Sequence, residues 1–250
     1  MSALRPLLVA AGLLGLWELL VRLTAVPPFI LPSPLAVGAA LAGRAELILG
    51  HAAVTAAEIL LGLVIGSLLG MVTAIVIAAL RGARAWVLPV LVVSQALPVF
   101  ALAPLLVLWF GYGMASKVAM AVLIIFFPVT AAFHDGLRRT DPSWLELART
   151  MDATPWAILW RIRIPAALPP LASGLRVAAA VAPIGAVVGE WVGSSRGLGY
   201  LMLQANARMQ VDLMFAALAV LAAMALLLWF TLDRLLRRAV PWQSDSPAHA

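Results

Sequence analysis

Six stretches of this chain, near residues 7–26, 54–80, 87–110, 115–134, 171–193 and 211–233, are long and almost uncharged. A bilayer's hydrocarbon core is about 30 Å thick, and a helix needs roughly 20 apolar residues to cross it. Only helices and closed barrels satisfy every backbone polar group in that core. Barrel strands give shorter segments in which apolar and polar residues alternate, and these runs do not alternate. The fold class that follows is all-α: a polytopic membrane protein with about six transmembrane helices. Composition agrees, since 64% of residues are hydrophobic and 11% charged, against about a quarter charged in soluble domains. The first run is longer than a signal peptide's apolar core of about 7–15 residues and contains Glu18 and Arg22, and no small-residue cleavage site precedes "PPFILPSP". It reads as a retained span. Cysteine is absent, which excludes disulfides and thiolate metal sites.

A net charge of +6 raises the question of nucleic acid, but in a membrane protein the placement of the basic residues decides. With a cytoplasmic N-terminus, the inner segments hold Arg5, Arg81, Arg84, Arg138, Arg139, Arg149, Arg161, Arg163, Arg234, Arg237 and Arg238. The outer segments hold Arg44, Lys117, Arg196 and Arg208. The excess of Arg on one side puts both termini in the cytoplasm and residues 194–210 outside. No nucleic-acid partner is expected. Residues 1–240 form a single membrane domain, and 241–250 a polar cytoplasmic tail.

Between the fourth and fifth runs lies "ELARTMDATPWAILWRIRIPAALP", a polar, proline-punctuated insert that this topology places in the cytoplasm. Asp141 followed by Pro142 is an N-cap with proline at the first helical position, and Ser143 with Glu146 adds a possible capping box. A helix is expected over about 142–151. Asp152 tolerates the left-handed conformation that ends helices. Thr154 and Pro155 repeat the cap signal, so a second short helix is expected over about 155–163, stopped by Pro165. Leu145, Ala148, Met151 and Trp156 place apolar and small groups on this cytoplasmic elbow, as a docking surface would.

Here the chain resembles the permease subunits of binding-protein-dependent ABC importers. Their cytoplasmic signature is Glu-Ala-Ala, three residues, Gly, about nine residues, then Ile, any residue, Leu-Pro. This chain has Glu146, Leu147, Ala148, Arg149, Thr150, Met151 and Asp152, followed by Ala153, Trp156, Ile164 and Pro165. Leu147 replaces the first Ala, Asp152 the Gly, and an Ile stands before Pro165. "PPFILPSPLAV", "ALAPLLVLWFGYG" and "GEWVGSSRGLGYLM" look like the nitrate, sulfonate, taurine and pyrimidine-precursor branch of these permeases. The resemblance implies a type I importer permease fold in the bacterial inner membrane, with residues 141–165 as the coupling elbow. It also implies a second permease copy, two ATPase subunits and an extracytoplasmic binding protein as partners. Within the branch, residues 182–218 look most like permeases for the thiamine precursor hydroxymethylpyrimidine, with sulfonates, taurine or nitrate as alternatives.

Whether the chain uses ATP itself is testable from the residues. A P-loop needs a lysine after its last glycine, and the only lysine, Lys117, stands in "GYGMASKVAM". No cofactor is therefore expected here: ATP and Mg belong to the partner, and the chain is not an enzyme. No metal-ligand cluster is evident either. Within the spans, Glu18 and Arg22 sit four apart and offset each other. Glu58, near the outer end of its span, is expected to snorkel or to pair with His51 or an adjacent helix. Glu190 is either an interfacial anchor beside Trp191 or a residue at the outer mouth of the pathway. Gln95 and Pro98 mark a kinked span that the resemblance makes a second pathway candidate. Gly62, Gly66 and Gly70 form a small-residue ladder for helix packing. Two rival classes fit less well: an intramembrane hydrolase lacks a base beside Ser67 or Ser94, and a secondary transporter lacks a visible repeat.

The absence of cysteine makes the topology directly testable. Ser195→Cys should react with an impermeant thiol reagent applied to intact cells, and Ser143→Cys should react only after permeabilisation; labelling of position 143 from outside would overturn the topology.

Overall fold

The computed structural model describes residues 4–242. In chain order the helices are α1 (Leu4–Thr24), α2 (Pro34–Gly43), α3 (Ala45–Ala79), α4 (Arg81–Ala96), α5 (Val99–Phe110), α6 (Met114–Arg138), α7 (Pro142–Thr150), α8 (Pro155–Ile158), α9 (Ile164–Gly193), α10 (Leu198–Ala207) and α11 (Val211–Ala239). A π-helical segment, Leu159–Arg163, joins α8 to α9. No strand is present among these residues, so the fold is all-α. Among the described residues four helices are long and apolar enough to cross a membrane: α3, α6, α11 and the continuous run Pro155–Gly193. The tail segment 243–250 lies outside the described residues.

Three expectations change. The third span is two helices, because Pro98 drives Leu97 out of the helical region to φ −80, ψ 124 and itself caps α5. The 12 residues of α5 reach only about 18 Å, so neither half crosses alone. The second span begins nine residues early, at Ala45, and runs for 35 residues. The short helix expected to stop at Pro165 does not stop. Ile164 donates its N–H to the Leu159 carbonyl, five residues back, and the widened π turn takes up the proline where an α-helical turn would clash with it. The elbow thus runs unbroken into α9.

The core is built on α6, which packs most extensively against α9 and α3. Ile125, Val129, Phe133 and Leu137 of α6 meet Ile59, Leu63 and Ala74 of α3 and Ala167, Leu171, Ala178 and Ala182 of α9. In lipid the helices gain little from the hydrophobic effect between them, so close backbone approach must supply the attraction. The expected glycine ladder does this. A Cβ on Gly66 would lie 2.9 Å from Ile125 Cγ2, one on Gly70 3.0 Å from the Phe126 carbonyl, and one on Gly62 would overlap Ala121. The opposite interface is as close, since a Cβ on Gly174 would lie 2.9 Å from the Pro128 carbonyl and one on Gly185 2.7 Å from Ala121 Cα. A second cluster joins α2, α3, α10 and α11 through Val37, Ile48, Leu198, Leu201, Leu213 and Ala216. Near the C-terminal end of α11, Arg176 of α9 donates to Asp233 at 2.7 Å, and Arg237 to the other oxygen at 2.9 Å.

Gly66→Leu should therefore force α3 from α6 and cost at least about 1–3 kcal/mol, the usual penalty of overpacking. A lower thermal midpoint and poorer yield in detergent would record it. Gly50→Leu, where a Cβ meets nothing within 4 Å, should leave both unchanged.

Candidate functional site

The elbow is held by local chemistry that its sequence spells out. Asp141 caps α7, accepting from the Ser143 amide at 2.8 Å and the Ser143 hydroxyl at 2.7 Å. The hydroxyl first, and then the amide, hold its carboxyl below the usual carboxylate range. The cap is therefore complete at neutral pH and is lost only as pH falls through that depressed value. Thr154 caps α8, its hydroxyl accepting from the Ala157 amide at 3.2 Å. Between them Asp152 takes φ 55. Its amide donates to the Arg149 carbonyl and the Ala153 amide to the Ala148 carbonyl, both at 3.0 Å, which is the Schellman closure of a helix. This is the geometry that a glycine supplies at the corresponding signature position.

Two further contacts fix the elbow's angle. Arg163 donates through Nε at 3.0 Å and Nη2 at 2.8 Å to the carbonyl of Leu137, tying the start of α9 to the last turn of α6. Ala148 is buried, at 6% exposure, and Leu145 is half-buried, so these two hold α7 to the body and are not part of an outer face. The outer face is formed by Trp144, Leu147, Met151 and Trp156, with Leu147 62% and Met151 74% exposed. Trp156 packs edge-on against Trp160 with ring centroids 5.7 Å apart. Glu146, Arg149 and Thr150 are exposed beside them, Ala153 and Ile164 are half-buried, and Pro165 is exposed. A cleft of about 760 Å³ lies between α7 and the start of α9, lined by Trp144, Leu147, Met151, Arg161, Pro165 and Trp242 among others. Exposed tryptophan, leucine and methionine on a polar, well-ordered turn form a surface suited to a protein partner.

The pathway candidates fare differently. The Gln95 side chain lies outside the described residues, and Pro98 is exposed at the α4–α5 break. Glu190 is neither an interfacial anchor nor a lining residue of this chain: it is 1% exposed. Its Oε1 accepts from the Thr55 hydroxyl at 2.6 Å, and its Oε2 from the amides of Gly199 at 2.5 Å and Tyr200 at 3.2 Å. Thr55 in turn accepts from the Leu198 amide at 2.8 Å, and His51 Nδ1 from the Gly197 amide at 2.9 Å. Glu58 is buried as well, at 2% exposure, and forms no ion pair with His51. Lys117, counted above as an outer charge, is equally buried. Its ammonium donates to the carbonyls of Tyr112, Gly113 at 2.8 Å and Gly193 at 2.6 Å. The signal in the sequence was the glycine spacing of "GEWVGSSRGLG". A Cβ on Gly197 would fall on the Glu190 carboxylate, one on Gly199 would lie 2.9 Å from Oε2, and one on Gly189 3.0 Å from Lys117 Cα. Gly197 also holds φ 109, a conformation closed to other residues.

Residues 62–244 match the family described as binding-protein-dependent transport system inner membrane component. The chain belongs to that family. It is 58% identical to a probable ABC transporter permease protein of Haemophilus influenzae, over 95% of this chain and 97% of that one. It is 37% identical to the formylaminopyrimidine transport permease of Halalkalibacterium halodurans, covering 97% of each. It is 38% identical to the riboflavin transport system permease of Chloroflexus aurantiacus, covering 93% of this chain and 88% of that one. An amino acid ABC transporter solved with histidines shares the fold, with a TM-score of 0.63 and 18% identity over 81% of this chain and 96% of that one. The protein is thus a permease subunit of an ABC importer and an inner membrane component. Membership in this permease family implies ATPase and binding-protein partners.

In this permease Asp152→Gly should be neutral or slightly stabilising, because glycine reaches φ 55 without strain. Asp152→Val should cost about 1–3 kcal/mol, since a β-branched residue resists that conformation. Thermal midpoints of the two purified variants would check it; equal midpoints would remove the turn argument.

Proposed function

We propose that this permease works as a homodimer beside two ATPase subunits, importing a small pyrimidine-bearing vitamin precursor such as hydroxymethylpyrimidine from an extracytoplasmic binding protein. Closure of the ATPases on ATP draws the two elbows together, and the spans rock to release the ligand inward. The observation that carries the coupling reading is the exposed apolar face of α7 and α8 on a rigidly capped turn. Glu146, Arg149 and Asp152 surround it with charges that set register on the partner. Ala153, Ile164 and Pro165 complete the elbow as its joint to α9. ATP and Mg reside on the partner, and this chain contributes no cofactor-binding residue to the scheme.

The ligand class rests on relatives. Formylaminopyrimidine carries a pyrimidine ring by name, and riboflavin carries one fused into its flavin. Taurine or aliphatic sulfonates are the second reading, favoured by more distant permeases that take them. Gln95 and Pro98, at the broken third span, are the pathway positions this scheme retains. Equilibrium binding of hydroxymethylpyrimidine, formylaminopyrimidine, riboflavin and taurine to the cognate binding protein would decide between them; tight binding of taurine alone would overturn the vitamin-precursor reading.

Met151→Glu and Trp156→Glu should insert and fold, since both side chains are exposed, yet lose ATPase assembly. A buried apolar side chain of this size is worth about 1.5–3 kcal/mol, or roughly 10- to 100-fold in affinity. Glu146→Ala should weaken assembly as well, by up to the roughly 1.5–3 kcal/mol of a charge-assisted hydrogen bond. Stoichiometric co-purification and normal uptake by all three would show that the elbow is not the coupling element.

A further inference from the structure

Glu190 lies at the far end of the helix that begins at the elbow, and Lys117, in the first turn of α6, packs against that end. The run Pro155–Gly193 is one continuous helix of 39 residues, about 58 Å long at 1.5 Å per residue. Its lower end carries the exposed Trp156 and its last turn carries Glu190. Glu190 crosses from that last turn to α10 and α3, and Lys117 reaches the same turn from α6. Glu190 takes the first amides of α10 at 2.5 and 3.2 Å and the hydroxyl of Thr55 on α3 at 2.6 Å. Lys117 takes the Gly193 carbonyl of α9 at 2.6 Å while holding Tyr112 and Gly113 in the turn before α6. The segment that follows α9, from Ser194 to the start of α10, is thereby clamped on both sides.

These contacts are stiff for a physical reason. Glu190 and Lys117 are 1% and 2% exposed, so water does not compete for their partners. Losing one partner would leave a buried polar group unsatisfied, which costs more than a surface hydrogen bond returns. The ammonium's three donors are all used. The carboxyl pair is not fully satisfied: Glu58 Oε2 is buried without a hydrogen-bond partner. An acceptor left open at such a place gives the cluster capacity for a second arrangement, in which a donor of the rocking helices engages it.

We infer that Glu190 and Lys117 are positioning residues that carry displacement of the cytoplasmic elbow to the extracytoplasmic segment 194–207, where α10 moves as one body with the end of α9. The clamp rests on the coupling function proposed above, and no substrate contact is assigned to it. It converts a shift at residues 142–158 into a shift across the membrane, because the helix between them is unbroken and its upper end cannot slide past α10 or the α5–α6 turn. Thr55 is the third member, bridging Glu190 to the Leu198 amide at 2.8 Å.

The test uses the permease assembled with the ATPase that co-purifies with it, in nanodiscs, with a spin label at Ser195→Cys outside or at Arg139→Cys inside. ATP with vanadate is the probe, so no substrate is required. In the parent complex, trapping should change the spectra at both positions. Glu190→Gln and Lys117→Met should keep assembly and the change at 139, with basal ATP hydrolysis within about twofold. The change at 195 should fall about fivefold or more, the lower edge of ordinary coupling between sites. Parental responses at 195 in both variants would overturn the clamp. Should either variant fail to assemble, Thr55→Val decides, since it removes the Thr55 bonds to Glu190 and to the Leu198 amide and leaves the Gly199 and Tyr200 amides on Glu190: an unchanged response at 195 overturns the clamp, and a reduced one supports it. A parent chain that recruits no ATPase would overturn the functional reading itself, and the clamp with it, an outcome distinct from normal coupling in the variants.

Discussion

Close backbone approach along α6 is the constraint on which the rest of the molecule depends. Apolar surface in lipid is not driven together by water, so helices must gain by dense packing. α6 obtains it on two faces at once: Gly62, Gly66 and Gly70 of α3 admit one side, Gly174 and Gly185 of α9 the other. The interfaces are rich in alanine, glycine and β-branched residues beside Leu63, Phe133, Leu137 and Leu171, while Leu60, Leu68 and Leu69 lie on the outer surface. This inversion of a soluble core is why the outward surface is so apolar. It also makes the three helices a single rigid slab, to which the elbow is attached below and the polar cluster above.

That slab explains how charges survive inside it. An isolated ion in hydrocarbon costs several kcal/mol even on lenient scales, yet two carboxyls and an ammonium are buried near the outer end of α3, α6 and α9. Glu58, Glu190 and Lys117 bring opposite charges into one cluster, which offsets part of that cost. What remains is to satisfy its polar atoms, and the backbone does most of it: two amides at the start of α10 point at Glu190, and the Gly193 carbonyl at the end of α9 with two carbonyls in the turn before α6 accept from Lys117. Helix termini are where such unpaired groups exist, which is why the cluster sits where α5, α9 and α10 begin or end.

Much of the fold was legible because local chemistry decided it. The caps at Asp141 and Thr154, the left-handed turn at Asp152, the ion pair of Glu18 with Arg22 at 2.7 Å and the glycine ladder of α3 all depend on neighbours within a few residues or on one helix face. The misreadings have the opposite origin. Lys117 looked like an outer charge and Glu190 like an interfacial one because their partners, Gly193 and Thr55, lie 76 and 135 residues away in sequence. Ala148 looked like part of a docking face because α7 is short, and which of its sides meets the body is set by tertiary packing. The break at Leu97–Pro98 was read as a kink, since proline alone does not say whether a membrane helix bends or ends. The glycines after Glu190 did hold the missing information. Their spacing is the negative image of two side chains, which becomes readable only once one asks what fills the space each glycine leaves.

Pro165 gives the most consequential of these differences. A proline in a helix interior removes one hydrogen bond and clashes with the carbonyl four residues back, so ending the elbow there was the local solution. The chain instead widens one turn over Leu159–Arg163, which shifts that carbonyl aside and lets the helix continue. Arg163, freed to reach sideways, spends both donors on the Leu137 carbonyl of α6. A true stop would have hung the elbow from a flexible joint, and movement at Trp156 would have been absorbed in the rotation of a few backbone dihedrals. With the π turn in place, α8 and α9 are one continuous helix packed against the slab. The same residue that looked like a terminator is therefore accommodated without breaking the helix, which is the continuity the proposed coupling requires.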